Sequence, residues 1–271
     1  MKKVLWIVLC LVALGTVQQA WAQCSSKNTA FQSGETLYYD LFFNWKFVWV
    51  KAGTATMNIT ETLYNGKPAY KTHLITRGSE RSDNFFVMRD TLESYTALNL
   101  VPLAYRKGAL EGSTYRLENV TYSYPNGHCK VDMFYQRQDR EPRINSYESQ
   151  YCAFDMLSML LRARSFDPSK FKKGHRIKFL MADGKRCEWQ SIEYRGKKKF
   201  TIENTNTTYR CLVFSFMEME DGKESEVVRF YITDDENHLP VRLDMNLNFG
   251  TAKAYLRGAR GIRNPQTAKI R

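Results

Sequence analysis

Two groups of residues in this chain have the types and spacing to hold a ligand. The run Phe42-Phe43-Asn44-Trp45-Lys46-Phe47-Val48-Trp49 carries too many rings for a strand with one wet face. Strict alternation would keep apolar side chains on one side, and this run puts them on both. It reads as a strand buried on both faces or carrying a bulge, or as an apolar ligand groove or membrane-facing edge. Its candidate contact residues are Phe43, Trp45, Phe47 and Trp49. The cationic candidates are Lys172 and Lys173, within Lys170-Phe171-Lys172-Lys173-Gly174, and the consecutive Lys197, Lys198 and Lys199. A lysine run is usually a solvated face. Beside an apolar groove, the same lysines would meet an anionic head group.

Other chemistries lack their signatures. The chain has no GxSxG elbow, no HExxH and no phosphate-binding loop. Ser169-Lys170-Phe171-Lys172 matches SxxK without the partner motifs that would support it. His73, His128, His175 and His238 show no metal-binding spacing, and no CxxC is present, so neither metal nor cofactor is implied. Asp234-Asp235-Glu236-Asn237 could offer oxygen ligands to Ca²⁺, but Asp and Asn are also turn formers, and the turn reading takes precedence. A Cys–His hydrolase built on Cys129 or Cys152 is a minor alternative that no sequence feature supports.

The first 22 residues point to export. Lys2 and Lys3 precede an apolar stretch from Val4 to Leu14, and Ala20-Trp21-Ala22 supplies small residues before a cleavage site. The mature chain is expected to start at Gln23 and to be periplasmic or associated with an outer membrane. Loss of Lys2 and Lys3 lowers the formal charge from +12 to +10. Export excludes nucleic acid as a natural partner, so the basic charge must be read against other anions. That charge favours anionic lipid, acidic glycan, lipopolysaccharide-like phosphates or an acidic envelope protein. Cys24, Cys129, Cys152, Cys187 and Cys211 remain after cleavage. An odd number leaves at least one thiol unpaired within the chain, and most of them read as buried thiols.

The elements that must position these residues are strands. Leu37, Tyr39, Leu41, Phe43 and Trp45 alternate with polar residues, as do Gly53, Ala55, Met57 and Ile59. Asn65-Gly66, Asn126-Gly127, Asp183-Gly184 and Asp221-Gly222 are short hairpin signals, with Arg195-Gly196 a weaker one. Successive hairpins predict an antiparallel meander. One helix is expected at about 149–164, where Phe154, Leu157, Leu160 and Leu161 share a face and Pro168 follows as a stop signal. It divides a β-rich domain, 34–256, into halves of about 34–148 and 176–256, after an N-terminal segment 23–33. The fold class is therefore mainly β: an antiparallel curved sheet, sandwich or half-barrel of two β-rich halves joined by one central helix. Residues 257–271 hold five cations, no acid, two glycines and a proline. They read as a mobile basic tail whose removal would leave stability unchanged.

Several of these local patterns, in order, resemble a family of exported bacterial proteins, domain-of-unknown-function family 3108. They are Gly34-Glu35-Thr36-Leu37-Tyr38-Tyr39, Trp49-Val50-Lys51-Ala52-Gly53-Thr54-Ala55, Asp155-Met156-Leu157-Ser158, Leu239-Pro240-Val241-Arg242 and Phe249-Gly250-Thr251-Ala252. The resemblance spans about 34–257 and implies an exported, β-rich envelope protein. It brings no catalytic residues.

Together these features suggest a non-catalytic periplasmic protein that binds an amphipathic or anionic envelope component. Its aromatic run would hold the apolar part, with peripheral membrane contact and no transmembrane segment in the mature chain. The alternative is an envelope scaffold whose basic tail docks an acidic partner. An envelope hydrolase is a third reading.

Overall fold

Alternating apolar residues along long runs, broken by tight turns, leave antiparallel pairing as the economical way to satisfy the backbone. The computed structural model describes residues 24–270 except 46–47, 85, 203–204, 221–222 and 248–249, with the side chains of Trp45 and Glu220 also outside the description. The expected leader, Phe47 and the Asp221-Gly222 turn therefore lie outside the described residues. The elements in chain order are β1 (Thr36–Trp45), β2 (Val48–Tyr64), β3 (Lys67–Gly78), α1 (Glu80–Asp83), β4 (Met88–Ala97), β5 (Pro102–Glu111), β6 (Thr114–Ser123), β7 (Cys129–Arg137), β8 (Arg143–Ser149) and β9 (Ala153–Phe154). There follow α2 (Met156–Arg164), β10 (Arg176–Ala182), β11 (Cys187–Ile202), β12 (Thr207–Glu220), β13 (Lys223–Thr233), β14 (Pro240–Leu247) and β15 (Gly250–Arg260). Strands make up 65% of the described residues, so the fold is mainly β.

All fifteen strands form one curved, unclosed sheet, in the order β8-β7-β6-β5-β4-β3-β2-β1-β15-β14-β13-β12-β11-β10-β9. The first and last long strands pair at its centre, Leu37 opposite Ala259 and Leu41 opposite Ala254. The chain runs outward from there to β8, crosses through β9 and α2, and returns from the opposite edge. Every pairing is antiparallel except β9 with β10. Curvature brings the two arms together: Leu180 and Ala182 of β10 pack with Val120, Val131 and Met133 of β6 and β7. Helix α2 lies between the arms. Leu157 joins that cluster, and Met159 packs with Phe154 and Phe179. Leu161 packs with Ala30, Phe31, Ile59 and Leu100.

Helix α2 begins at Met156, later than expected, because Asp155 is its N-cap. Asp155 Oδ1 accepts from the Leu157 and Ser158 amides, and Ser158 Oγ accepts from the Asp155 amide, a complete capping box. Residues before it are committed to β8, the short β9 and a disulfide between Cys24 and Cys152. That bridge ties the N-terminal segment to the crossover, while Cys129, Cys187 and Cys211 stay reduced. Asn65-Gly66 is a hairpin turn with both residues at positive φ, 49° and 76°. Arg195-Gly196 is not a turn. It is a bulge within β11, where Gly196 at φ 105° shifts the register against β12. A further bulge lies just beyond the aromatic run, at Ala52 of β2, where Leu41 pairs with Gly53 and Phe42 with Lys51.

The expected mobile tail is instead packed. Ile262 lies against the main core and Ala268 has no solvent exposure. The Asn264 amide donates to Asn237 Oδ1 at 2.8 Å, and Asn237 Nδ2 donates to the Asn264 carbonyl at 2.8 Å. Arg263 reaches the Asn28 carbonyl at 3.0 Å, and the Ile270 amide donates to the Thr208 carbonyl at 2.8 Å, beside a bridge from Lys269 to Tyr209. Backbone partners and two apolar anchors offset the ordering entropy that the charge count suggested would dominate. Truncation after Leu256 is accordingly predicted to lower the melting temperature by roughly 5–10 °C, the loss of several hydrogen bonds and two apolar anchors. Thermal unfolding followed by circular dichroism measures it, and an unchanged melting temperature would contradict the packed segment.

Candidate anion-binding site

Antiparallel register sorts the loops into two ends. The end of the curl carrying the 65–66, 98–101 and 234–239 loops is closed by the N- and C-terminal segments and by α2. The opposite rim carries the β1–β2, β7–β8, β10–β11 and β14–β15 hairpins. On the concave face of the first arm, facing pairs align Leu92, Lys107, Glu118, Tyr135 and Arg143 in one row across β4 to β8. The next row toward the rim is Asp90, Ala109, Arg116 and Arg137.

At this rim lies a cavity of about 470 Å³ lined by Tyr135, Arg137, Arg140, Glu141, Pro142, Arg143 and Lys185. The β7–β8 hairpin presents the three arginines. Its turn closes through the Arg140 amide to the Arg137 carbonyl at 3.0 Å, with Asp139 at φ 59°. Gln138 fastens the turn to β6 by exchanging hydrogen bonds with the Tyr115 backbone at 2.8 and 3.1 Å. Lys185 comes from the other arm. Asp183 Oδ1 accepts from the Lys185 and Arg186 amides at 2.9 and 3.0 Å and shapes that hairpin as an Asx turn. Asn145 Nδ2 donates to the Lys185 carbonyl at 2.8 Å, and Lys185 Nζ stands 4.5 Å from the centre of the Tyr135 ring. The arms meet so closely that a Cβ on Gly184 would sit 2.8 Å from Glu118 Cβ.

Four cations thus converge with Glu141 as the one acid lining the cavity. Among the described residues, Arg137, Arg140, Arg143 and Lys185 form no ion pair. Neighbouring Arg116 differs: it is paired with Glu111 at 2.5 Å. The surface is therefore under-neutralised at this point, which favours an anion carrying several oxygens. Beneath the cavity, burial raises the carboxyl of Glu118 above its ordinary range. Burial, then the Glu111 charge, lifts Asp90 to about 6 against the opposing pull of Lys107 and Arg116. Burial also pushes the Cys187 thiol to about 12 and raises Cys129, so neither is a thiolate at neutral pH.

The residues expected from sequence do not converge on one site. Phe43, Trp49 and the backbone of Trp45 sit at the rim, in the β1–β2 hairpin. Lys172 and Lys173 precede β10, away from that hairpin, and Lys197, Lys198 and Lys199 lie farther still along β11. Lys197 is paired with Asp234 at 2.9 Å. Asp235 spends its side chain on the local turn, accepting from Thr233 Oγ1 and the Asn237 amide. The arginine set was missed because the segment Arg137-Gln138-Asp139-Arg140-Glu141-Pro142-Arg143 looks like an ordinary charged turn. The available signal was arginine at every third position across a hairpin.

A family model described as "Protein of unknown function (DUF3108)" matches residues 37–257, most of the chain. The chain belongs to the DUF3108 family. Among solved structures this DUF3108 chain is similar to a β-barrel-like protein of domain of unknown function DUF1849 from Brucella abortus. The two share 10% identity with a TM-score of 0.56, over 87% of this chain and 100% of that one. That likeness concerns the fold alone. No curated protein matches. No helix among the described residues is long and apolar enough to cross a membrane.

Asp90 supplies a pH test of the buried acid beneath the cavity. Its Oδ1 is buried without a hydrogen-bond partner. Its folded-state value of about 6 exceeds the ordinary 3.8, so ionisation opposes folding. The penalty is absent below the ordinary value, grows as pH rises and is complete above the folded value. Asp90→Asn is predicted to stabilise the protein by about 1 kcal/mol at pH 7, discounted for partial exposure, and by almost nothing at about pH 3. Urea denaturation at both pH values checks this, and an equal effect at both would contradict the assignment.

Proposed function

We propose that this DUF3108 protein is an exported, non-catalytic binding protein of the cell envelope. Its rim takes an anionic envelope component through Arg137, Arg140, Arg143 and Lys185. The observation that carries the reading is the convergence of these four cations around one cavity lined by a single acid. Three come from one hairpin and one from the opposite arm, so the site exists only when the curl is formed. Guanidinium groups suit phosphate and carboxylate oxygens, which lipid head groups, lipopolysaccharide phosphates and acidic glycans all carry.

An apolar tail is not held inside the curl, because α2, β9 and β10 fill it. The earlier grouping of aromatic residues with Lys172, Lys173, Lys197, Lys198 and Lys199 is replaced by the rim arginines. The scaffold alternative loses its support, since it needed a free basic tail. Of that tail's cations, Arg257 and Arg260 flank Tyr38 over a shallow depression. Arg263 is engaged with backbone carbonyls.

The test compares binding of lipopolysaccharide with binding of its dephosphorylated form, by calorimetry on the mature chain. Arg137→Gln combined with Arg143→Gln is predicted to weaken binding of the phosphorylated form roughly 10–100-fold, the loss of two charge-assisted contacts. Rising salt should weaken it further. Equal binding of the two forms, or an unaffected double variant, would contradict the proposal.

A further inference from the structure

The rim has a second chemical character, separate from the arginine cavity. β1 pairs with both β2 and β15, so the β1–β2 and β14–β15 hairpin tips stand side by side. The β7–β8 and β10–β11 hairpins of this rim end in polar residues, 138–141 and Asp183 to Arg186. The β1–β2 and β14–β15 hairpins instead carry exposed apolar residues beside their turns. Val48 is 64% exposed, Trp49 and Val50 are each 37% exposed, and Leu247 is 38% exposed. A neighbouring group of exposed β-branched and aromatic side chains marks an interaction surface.

Cations frame this patch. Lys253 Nζ stands 3.8 Å from the centre of the Trp49 ring. Lys51, half exposed, sits opposite Phe42 and pairs with Asp40 at 2.9 Å. An apolar tip bearing tryptophan, with ammonium groups set back one or two residues, fits the layered chemistry of a bilayer surface. Acyl chains would meet Val48 and Val50, the interface would suit the indole, and anionic head groups would attract the lysines.

We propose that the β1–β2 and β14–β15 hairpin tips seat the protein on the surface of a bilayer containing anionic lipid. Val48, Trp49, Val50 and Leu247 enter the interfacial layer, and Lys51 and Lys253 face the head groups. This rests on the two tips and not on the arginine cavity. It orients the rim toward the membrane.

The test is flotation of the mature chain with vesicles of phosphatidylethanolamine and phosphatidylglycerol. Val48→Ser combined with Trp49→Ser removes the tip's apolar surface, and an unchanged melting temperature shows that the fold survives. Binding is expected to fall at least about tenfold. Trp49→Tyr should keep most of it. In Trp189→Phe, brominated lipid should quench the remaining tryptophan emission of the mature chain. Arg137→Gln with Arg143→Gln should keep this quenching while losing the soluble anionic ligand, so the two readings fail separately. The proposal is overturned if the wild-type protein does not float, if the serine variant floats equally, or if brominated lipid leaves emission unchanged. It is also overturned if the serine variant only converts a dimer of this chain to a monomer.

Discussion

The fold depends on one buried ion pair. Arg164, the last residue of α2, and Glu35, just before β1, both have no solvent exposure. The guanidinium meets both carboxylate oxygens, with the Nη2–Oε2 contact at 2.9 Å. Two further donors go to the Asn237 carbonyl at 3.2 and 3.0 Å. The Phe31 ring lies beneath it and His238 Nδ1 contacts the Arg164 carbonyl. Two charges removed from water are tolerated only with such extensive hydrogen bonding. The same arrangement joins the helix, the central strand pair, the β13–β14 loop and the N-terminal segment at one point. Tyr39 packs into this region, donating to the Pro240 carbonyl at 3.0 Å, and burial raises its phenol well above the ordinary value.

That closure explains the asymmetry of the molecule. One end of the curl is fixed by the ion pair, the Cys24–Cys152 bridge and the C-terminal segment, which borrows Asn237 and Asp235 for its own hydrogen bonds. With the terminal segments used there, the hairpins of the opposite rim are left to carry uncompensated charge and exposed rings. The geometry thus separates stability from binding along the strand direction. The arginine cavity needs both arms in place, because Lys185 reaches it only when β10 is tucked against β6 and β7.

Much of the sheet was legible in the sequence. Period-two alternation at Leu37 to Trp45 and the Asn65-Gly66 turn each required the conformation found. Arg195-Gly196 misled because glycine at positive φ serves a bulge as well as a turn. The C-terminal segment misled because its charge says nothing about whether Ala268 and the Asn264 backbone find partners across the fold. Glu35 was visible only as one letter in a recurring motif, since its partner lies 129 residues away. The rim arginines were illegible as a site for a related reason. Their charge gains meaning only from the lack of ion pairs to them and from a lysine on another arm, and neither is a local property of the chain.

The central claim, that Arg164 and Glu35 stabilise as a unit, is tested most directly by a double-mutant cycle in chemical denaturation. Glu35→Leu or Arg164→Met alone leaves a buried charge unpaired and should cost about 3–5 kcal/mol. The double variant should cost much less than the sum of the two, because no uncompensated charge remains. Additive losses, or single variants costing less than about 1 kcal/mol, would contradict it.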